Sequence, residues 1–427
     1  MTNMLRALVR IISSTPRVFL SGCSKARFAG NSGAIAKNSN AAAAAQEQPN
    51  VEIILTRVLR LIAAAVVAST SLLAHGADGE MDKVLKRMLS VNIQAAAGFK
   101  TRVLVPPGEL YDPLVMHPMG TQVWLNDDGK EQQGEDGKTK GSRLMAVDHA
   151  GHVSVLVDAD KMLPISAGFD VAPAGFGEFG GQVFALSQPQ TGEQGGQQNY
   201  VIQRIDPKAG FAVHMFCTLP ASNAKETAGI GVDARFGPPG SPFFGKLYAS
   251  TTLNNTIYQI TPDGRCEPFV RLDPDQQGGP LYLRFTPDGR SLLVTVVRGG
   301  IFAAHGSAIL AIHADGKVDD KAIAEAPTMF GSIDFAPAGF GAYGGQIFVV
   351  EVGSYEIPVP AGRPLAADGK LHRVTADGKL ELVASGFINP WNVRFVGNRL
   401  WVGDINGDFI YGRRELPDGF IVEVSAE

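Results

Sequence analysis

Charge is sparse in this chain. Of its 427 residues only 19% are Asp, Glu, Lys or Arg, and the formal net charge is −4. A nucleic-acid partner is therefore not expected, because phosphate binding relies on clustered Lys and Arg. Cysteine is rarer still, with Cys23, Cys217 and Cys266 the only three. No CxxC pair or Cys/His spacing accompanies them, so a structural zinc site is not expected. Aligning the repeats described below puts Cys217 and Cys266 at opposite ends of their outer strands, so both are expected as buried free thiols. Nucleophile and metalloprotease signatures are missing too: neither GxSxG nor HExxH occurs, and the eight histidines are scattered.

Acidic residues are absent from residues 1–46, where Arg6, Arg10, Arg17, Lys25, Arg27 and Lys37 stand among Ser and Ala. That composition is the one organelle transit peptides use. Arg57 and Arg60 then precede the apolar run Leu61–Ala74, which ends in Ala74-His75-Gly76-Ala77. The run is too short for a comfortable membrane span and reads as the apolar region of an export signal. Residues 1–50 are thus expected to be a basic leader or a start placed too early, 51–77 an export signal, and 78–98 a linker or short helix. The expected destination is periplasmic or extracellular. An organelle lumen reached through a bipartite presequence is the alternative, and a stable membrane span is not expected in the mature protein.

Glycine and apolar residues are plentiful, with 50 Gly and 45% hydrophobic residues. Many turns and enough apolar surface for a core fit an all-β protein. One segment occurs twice: Asp170–Phe184 (DVAPAGFGEFGGQVF) and Asp334–Phe348 (DFAPAGFGAYGGQIF) are identical at eleven of fifteen positions. Weaker copies are DARFGPPGSPFFGKLY at Asp233, RFTPDGRSLL at Arg284, RFVGNRLW at Arg394 and VMHPMGTQVW at Val115. Each has a strand, a Gly/Pro turn and a second strand, followed by a hairpin often turned by Asp-Gly. Residues 99–427 are therefore expected to form a six-bladed β-propeller of four-stranded blades. The last unit has only three strands of its own, and Phe99–Val105 is expected to supply its outer strand and close the ring.

Within such a blade, the GFGxxGG segments join the inner strand to the second on one face. Without a following helix they read as structural turns, not phosphate loops. The opposite face carries long, dissimilar loops between second and third strands, at 126–142, 187–199, 298–307, 353–369 and 405–419. Long loops on a rigid scaffold are where binding tends to be placed. Polar residues at that mouth are Asp127, Ser187, Thr251, Glu351 and Asp404 at second-strand ends. Asp112, Ser166, Thr227, Asn389 and Asn392 stand at inner-strand starts. Convergent oxygens of this kind can hold a hard cation, with calcium the expected ion. Asp112, Asn389 and Asp404 are the candidate metal ligands, and Glu351 and His305 the candidate catalytic pair. Asp170, Asp233, Arg284, Asp334 and Arg394, with Asn392 and Asp127, are candidates for lining the channel. Buried charges must be paired, so the first five are expected to bond one another and the backbone between blades.

The stretch 369–408 carries Asn389-Pro390-Trp391 and Leu400-Trp401-Val402-Gly403-Asp404. In these positions it resembles a blade of the soluble glucose/sorbosone dehydrogenase superfamily. That resemblance implies a six-bladed propeller binding pyrroloquinoline quinone and Ca²⁺, with a His as base. Ile388 stands where that family usually has Arg. The chain is also similar to gluconolactonases and NHL-type propellers. That likeness implies one divalent metal held by inner-strand starts, where Asp112 and Asn389 match in kind. The expected function is metal-assisted hydrolysis of a small oxygenated substrate, a lactone or sugar. Quinone-dependent sugar oxidation and non-catalytic binding of a ligand or protein are the alternatives.

Overall fold

The computed structural model describes residues 91–427 apart from 129–131, 134–138, 141, 162–164, 188–199, 221–230, 253, 300–305, 354–366 and 407–416. It is a six-bladed β-propeller of antiparallel, essentially four-stranded blades. The inner strands are Pro113–Met119, Ile165–Val171, Gly231–Phe236, Gly279–Phe285, Phe330–Phe335 and Pro390–Val396, in blades 1 to 6. Each packs against the next, and the sixth against the first, so the ring is closed. Blade 6 takes its outer strand from the other end of the chain: Phe99–Leu110 pairs with Gly419–Ala426, register Phe99 to Ala426. This is the closure anticipated from the missing strand, and it covers the edge that a three-stranded last blade would expose. A short strand, Gln94–Ala95, adds a fifth member to blade 5 against Ala384 and Ser385.

Burial follows position in the blade. Second strands such as Ser291–Val297 (SLLVTVV) are apolar and buried almost throughout, because both faces meet a neighbouring blade. Outer strands such as Cys266–Arg271 are half exposed. The core therefore lies in the seams between blades, and the near-verbatim repeats become intelligible there. Phe176, from the GFGEFGG turn, lies 4.7 Å from Phe236 of the next inner strand and 5.2 Å from Phe184 of its own second strand. Phe340 does the same with Phe395 (4.9 Å) and Phe348 (5.5 Å). Phe243 repeats it with Phe285 (5.1 Å) and Tyr248 (5.5 Å). The turn folds an aromatic plug into the seam, with edge-to-face or tilted contacts that aromatic rings favour. Gly181 (φ 85°) and Gly345 (φ 81°) end the two turns in a conformation that L side chains resist.

The free-thiol expectation is corrected. Cys217 and Cys266 form a disulfide joining the outer strands of blades 2 and 3, Cα atoms 6.7 Å apart. They do stand at opposite ends of those strands, Ala212–Thr218 and Cys266–Arg271. Strand twist turns each blade's outer edge, so the end of one outer strand meets the start of the next.

Candidate functional site

Six inner-strand positions are equivalent in register from blade to blade. Their second-strand partners identify them: His117 opposite Trp124, Asp170 opposite Phe184, Arg235 opposite Tyr248, Arg284 opposite Leu293, Asp334 opposite Phe348 and Arg394 opposite Trp401. Arg235 thus occupies the blade 3 position for which Asp233 was expected; Asp233 lies two residues earlier, opposite Ser250. The three carboxylates each reach across a seam to a backbone N–H of the next inner strand. Asp170 accepts from Phe236 (2.8 Å), Asp233 from Leu283 (2.9 Å) and Asp334 from Phe395 (2.8 Å). The cations answer them: His117 Nδ1 lies 2.9 Å from Asp170, Arg235 Nε 3.1 Å from Asp233 and Arg284 2.6 Å from Asp334. Burial holds the His117 imidazole below its ordinary value against the pull of Asp170. These charges lace blades together, as the pairing rule for buried charge required.

At the mouth, blades 6 and 1 share one device. Asp404 ends its second strand and is fully buried; Oδ2 accepts from the N–H of Ile388 (2.8 Å), and Oδ1 from those of Asn389 (3.0 Å) and Asn406 (2.7 Å). Asp127 does likewise with Tyr111 (2.8 Å) and Asp112 (2.9 Å), and bonds Arg143 through its second oxygen. Each short carboxylate thus clasps the two residues that lead into the proline opening the inner strand, Pro113 or Pro390. Among the described residues no cation offsets Asp404, and burial pushes its carboxyl up to about 6 despite the three N–H groups. Burial also raises Asp127, against Arg143.

These contacts bear on the candidate metal ligands. Asp404 is spent on backbone, and Asn389 Oδ1 accepts from Trp391 Nε1 at 2.6 Å. Asp112 is buried in blade 1. Among the described residues, no three His, Cys, Asp or Glu side chains gather into a potential metal site. The set does not fit a divalent cation, which needs several oxygens aimed at one point. At Ile388, where the resembled dehydrogenase blade carries Arg, this chain presents only an N–H, already bonded to Asp404. Asn392 is also structural, its Oδ1 accepting from Met116 N–H at 3.2 Å across the blade 6–1 seam. Ser187 receives Gln203 Nε2 at 2.7 Å, and Thr251 donates to Thr256 O at 3.1 Å. His305 and Thr227 lie outside the described residues, as do the Ser166 side chain and much of the long loops.

Glu351 departs from this pattern. It holds the same register position in blade 5 as Asp127 and Asp404 in theirs, opposite the first inner-strand residue. One methylene longer, it clasps no N–H. Its Oε1 accepts from the Thr328 hydroxyl, its Oε2 lies 2.7 Å from His372 Nε2, and Lys370 Nζ lies 3.7 Å away. Burial works upward on Glu351, but His372, Thr328 and Lys370 carry it down to about 2, so it is ionised at neutral pH. His372 is 8% exposed, and its Nδ1 has no hydrogen-bond partner among the described residues. Sequence reasoning missed His372, which looks like any third-strand residue in LHRV. The available signal was register: Lys370 opposes Glu351, so His372, two residues on, shares its face.

No protein-family model matches this chain, and a search of curated proteins finds no match. Solved structures do match. An oxidoreductase (glucose dehydrogenase) of Thermus thermophilus superposes at TM-score 0.51 and 15% identity, covering 77% of this chain and 100% of its own. The PQQ-bound aldose sugar dehydrogenase of Streptomyces coelicolor gives TM-score 0.50 and 15% identity, covering 78% of this chain and 100% of its own. A gluconolactonase structure gives 0.48 and 15%, covering 79% and 98%. At this identity the likeness establishes the shared six-bladed fold.

Proposed function

We propose that the chain is a propeller hydrolase of small oxygenated rings, sugar lactones foremost, working at the channel mouth through Glu351 and His372. The observation that carries this reading is the Glu351–His372 contact of 2.7 Å, at a mouth carboxylate that bonds side chains where Asp127 and Asp404 bond backbone. A carboxylate on one imidazole nitrogen fixes the ring's tautomer and orientation and leaves the other nitrogen as the acceptor. In the proposed step His372 takes a proton from water as the water's oxygen adds to the lactone carbonyl. Glu351 stabilises the resulting imidazolium, and His372 then returns the proton to the departing ring oxygen. The sugar-like substrate class follows the names of the two dehydrogenase propellers of the same shape, and a lactone is the sugar form that a general base and water can open. The step is written with the described rim residues alone, without a metal or a quinone. The basic residues before Leu61–Ala74 support export, and the Cys217–Cys266 disulfide supports an oxidising compartment. No helix among the described residues is long and apolar enough to cross a membrane.

The test is hydrolysis of a panel of sugar lactones by the purified protein, followed by acid release, with His372→Ala and Glu351→Gln beside it. Loss of a general base costs roughly 10²–10⁴-fold in rate. Glu351→Gln should also slow the reaction, because the imidazolium formed in the step loses its counter-charge. His372→Ala retaining the parent rate would sink the assignment. A folded parent with no activity on any lactone would favour a binding propeller, a reading supported by Asp127, Asp404 and the axial acids all serving the scaffold.

A further inference from the structure

Among the described residues of the axial ring, Arg394 is the guanidinium with the weakest partner. It is buried, 4% exposed, and pairs with a carboxylate only at long range. The nearest carboxylate oxygen, Asp334 Oδ2, lies 3.9 Å from its Nη1, and that oxygen already accepts the Phe395 N–H. Its Nε is buried and unpartnered. The other guanidiniums are better served, Arg235 by Asp233 and by the Phe169 carbonyl (3.1 Å), and Arg284 by Asp334.

The position of the Arg394 head is informative. After burial itself, the influences that lower its affinity for a proton are the charges of Arg284 and Arg235, ahead of the attraction of Asp334 and Asp170. The geometry agrees: Asp334 of blade 5 has Arg284 of blade 4 at 2.6 Å from one oxygen and Arg394 of blade 6 at 3.9 Å from the other, so two guanidiniums converge on one carboxylate. Each acid spends lone pairs on two backbone N–H groups, one within its own strand and one across the seam. Asp170 serves Val171 and Phe236, Asp233 serves Ala234 and Leu283, and Asp334 serves Phe335 and Phe395. None turns an oxygen within hydrogen-bond distance of Arg394. A buried guanidinium left in this state is costly, and a mobile counter-ion is the simplest remedy.

We propose that the central channel holds a small monovalent anion of the halide class, chloride in a cellular setting, against the Arg394 guanidinium. The count of charges selects monovalent over multivalent. Three carboxylates (Asp170, Asp233, Asp334) face three guanidiniums (Arg235, Arg284, Arg394), and His117 is held toward neutrality by burial. A monovalent anion beside Arg394 leaves the ring one unit negative, the smallest imbalance an anion can bring, whereas phosphate or sulfate would leave it about two units negative. The site lies at the level of the axial ring, below the mouth, and is independent of the hydrolase reading.

The experiment is thermal unfolding of the full chain at constant ionic strength, with sodium bromide or chloride replacing sodium isethionate, a bulky anion. It is paired with bromide anomalous scattering from crystals of the unmutated protein. Expected are a halide-dependent rise of about 3 °C at saturation, no such rise in Arg394→Met, and an anomalous peak within hydrogen-bond reach of the Arg394 guanidinium. Equal melting in both salts with an empty channel in the bromide map would overturn the proposal. So would a channel peak that persists in Arg394→Met, or an adventitious ion only, seen in crystals without any effect on melting. The crystallographic arm needs no variant, so misfolding of Arg394→Met would leave the proposal falsifiable.

Discussion

Replacing Asp404 by Asn should make the protein relatively more stable as pH rises, the reverse of what removing a bonded carboxylate usually does. Asp404 is fully buried, has no cationic partner among the described residues, and is pushed by burial from 3.8 to about 6. Between those values the native state keeps a proton that the unfolded chain has released. A raised carboxyl therefore contributes stability fully present below the unfolded value and lost as pH climbs through the folded one. At 1.36 kcal/mol per unit, the loss between pH 3.5 and 7.5 is about 3 kcal/mol. Asn does not titrate, so this loss is absent from the variant. Its amide brings a separate, pH-independent cost. Keeping the carbonyl toward Asn389 and Asn406 turns the NH₂ toward the Ile388 N–H, two donors facing each other, for about 1–3 kcal/mol. Asp404→Asn should therefore be less stable than the parent near pH 4, and equal or more stable near pH 7.5. The assay is urea unfolding read by fluorescence and circular dichroism across that range, coincident curves licensing a free energy. Other titrating groups cancel in the difference where they are independent of Asp404. A difference flat with pH would show an unperturbed carboxyl. A variant that loses most at neutral pH would show that the three N–H groups outweigh burial, and would refute the reasoning.

The remaining stability predictions concern the seams. Opening the Cys217–Cys266 bridge by replacing both residues with Ser releases a loop of 49 residues, which costs about 4 kcal/mol by chain entropy. Thermal melts of the double variant, and of the parent with and without reductant, should show the drop, and an unchanged midpoint would deny the bridge. Gly168→Ala would set a methyl carbon 2.3 Å from Asp233 Cα in the next inner strand, so blades 2 and 3 must part, at a cost of about 3 kcal/mol or more. A melt within a degree of the parent would mean that the seam is looser than described.

The fold was legible because its signals are local. Each unit repeats an inner strand, a Gly/Pro turn and a second strand, and the three-strand final unit announces its missing partner. Features that depend on how units meet were harder to see. Cys217 and Cys266 looked incompatible on a flat alignment, which carries no twist. Asp233 drew attention as an acid before an Arg-Phe-Gly-Pro-Pro turn. Aligning instead on the turn would have paired Arg235 with Asp170 and Asp334, as the cross-strand partners Tyr248, Phe184 and Phe348 do. At the mouth the difficulty was chemical. Asp127, Asp404 and Glu351 are the same kind of residue at the same register position, and nothing in the letters says which of them faces backbone N–H groups. One methylene decides it: Asp curls into its own loop, while Glu overreaches that loop and meets Thr328 and His372. Side-chain length at a repeated position is therefore the discriminating variable. Restoring the short acid tests the point, since Glu351→Asp should recover a backbone clasp in blade 5 and release His372 from its carboxylate partner.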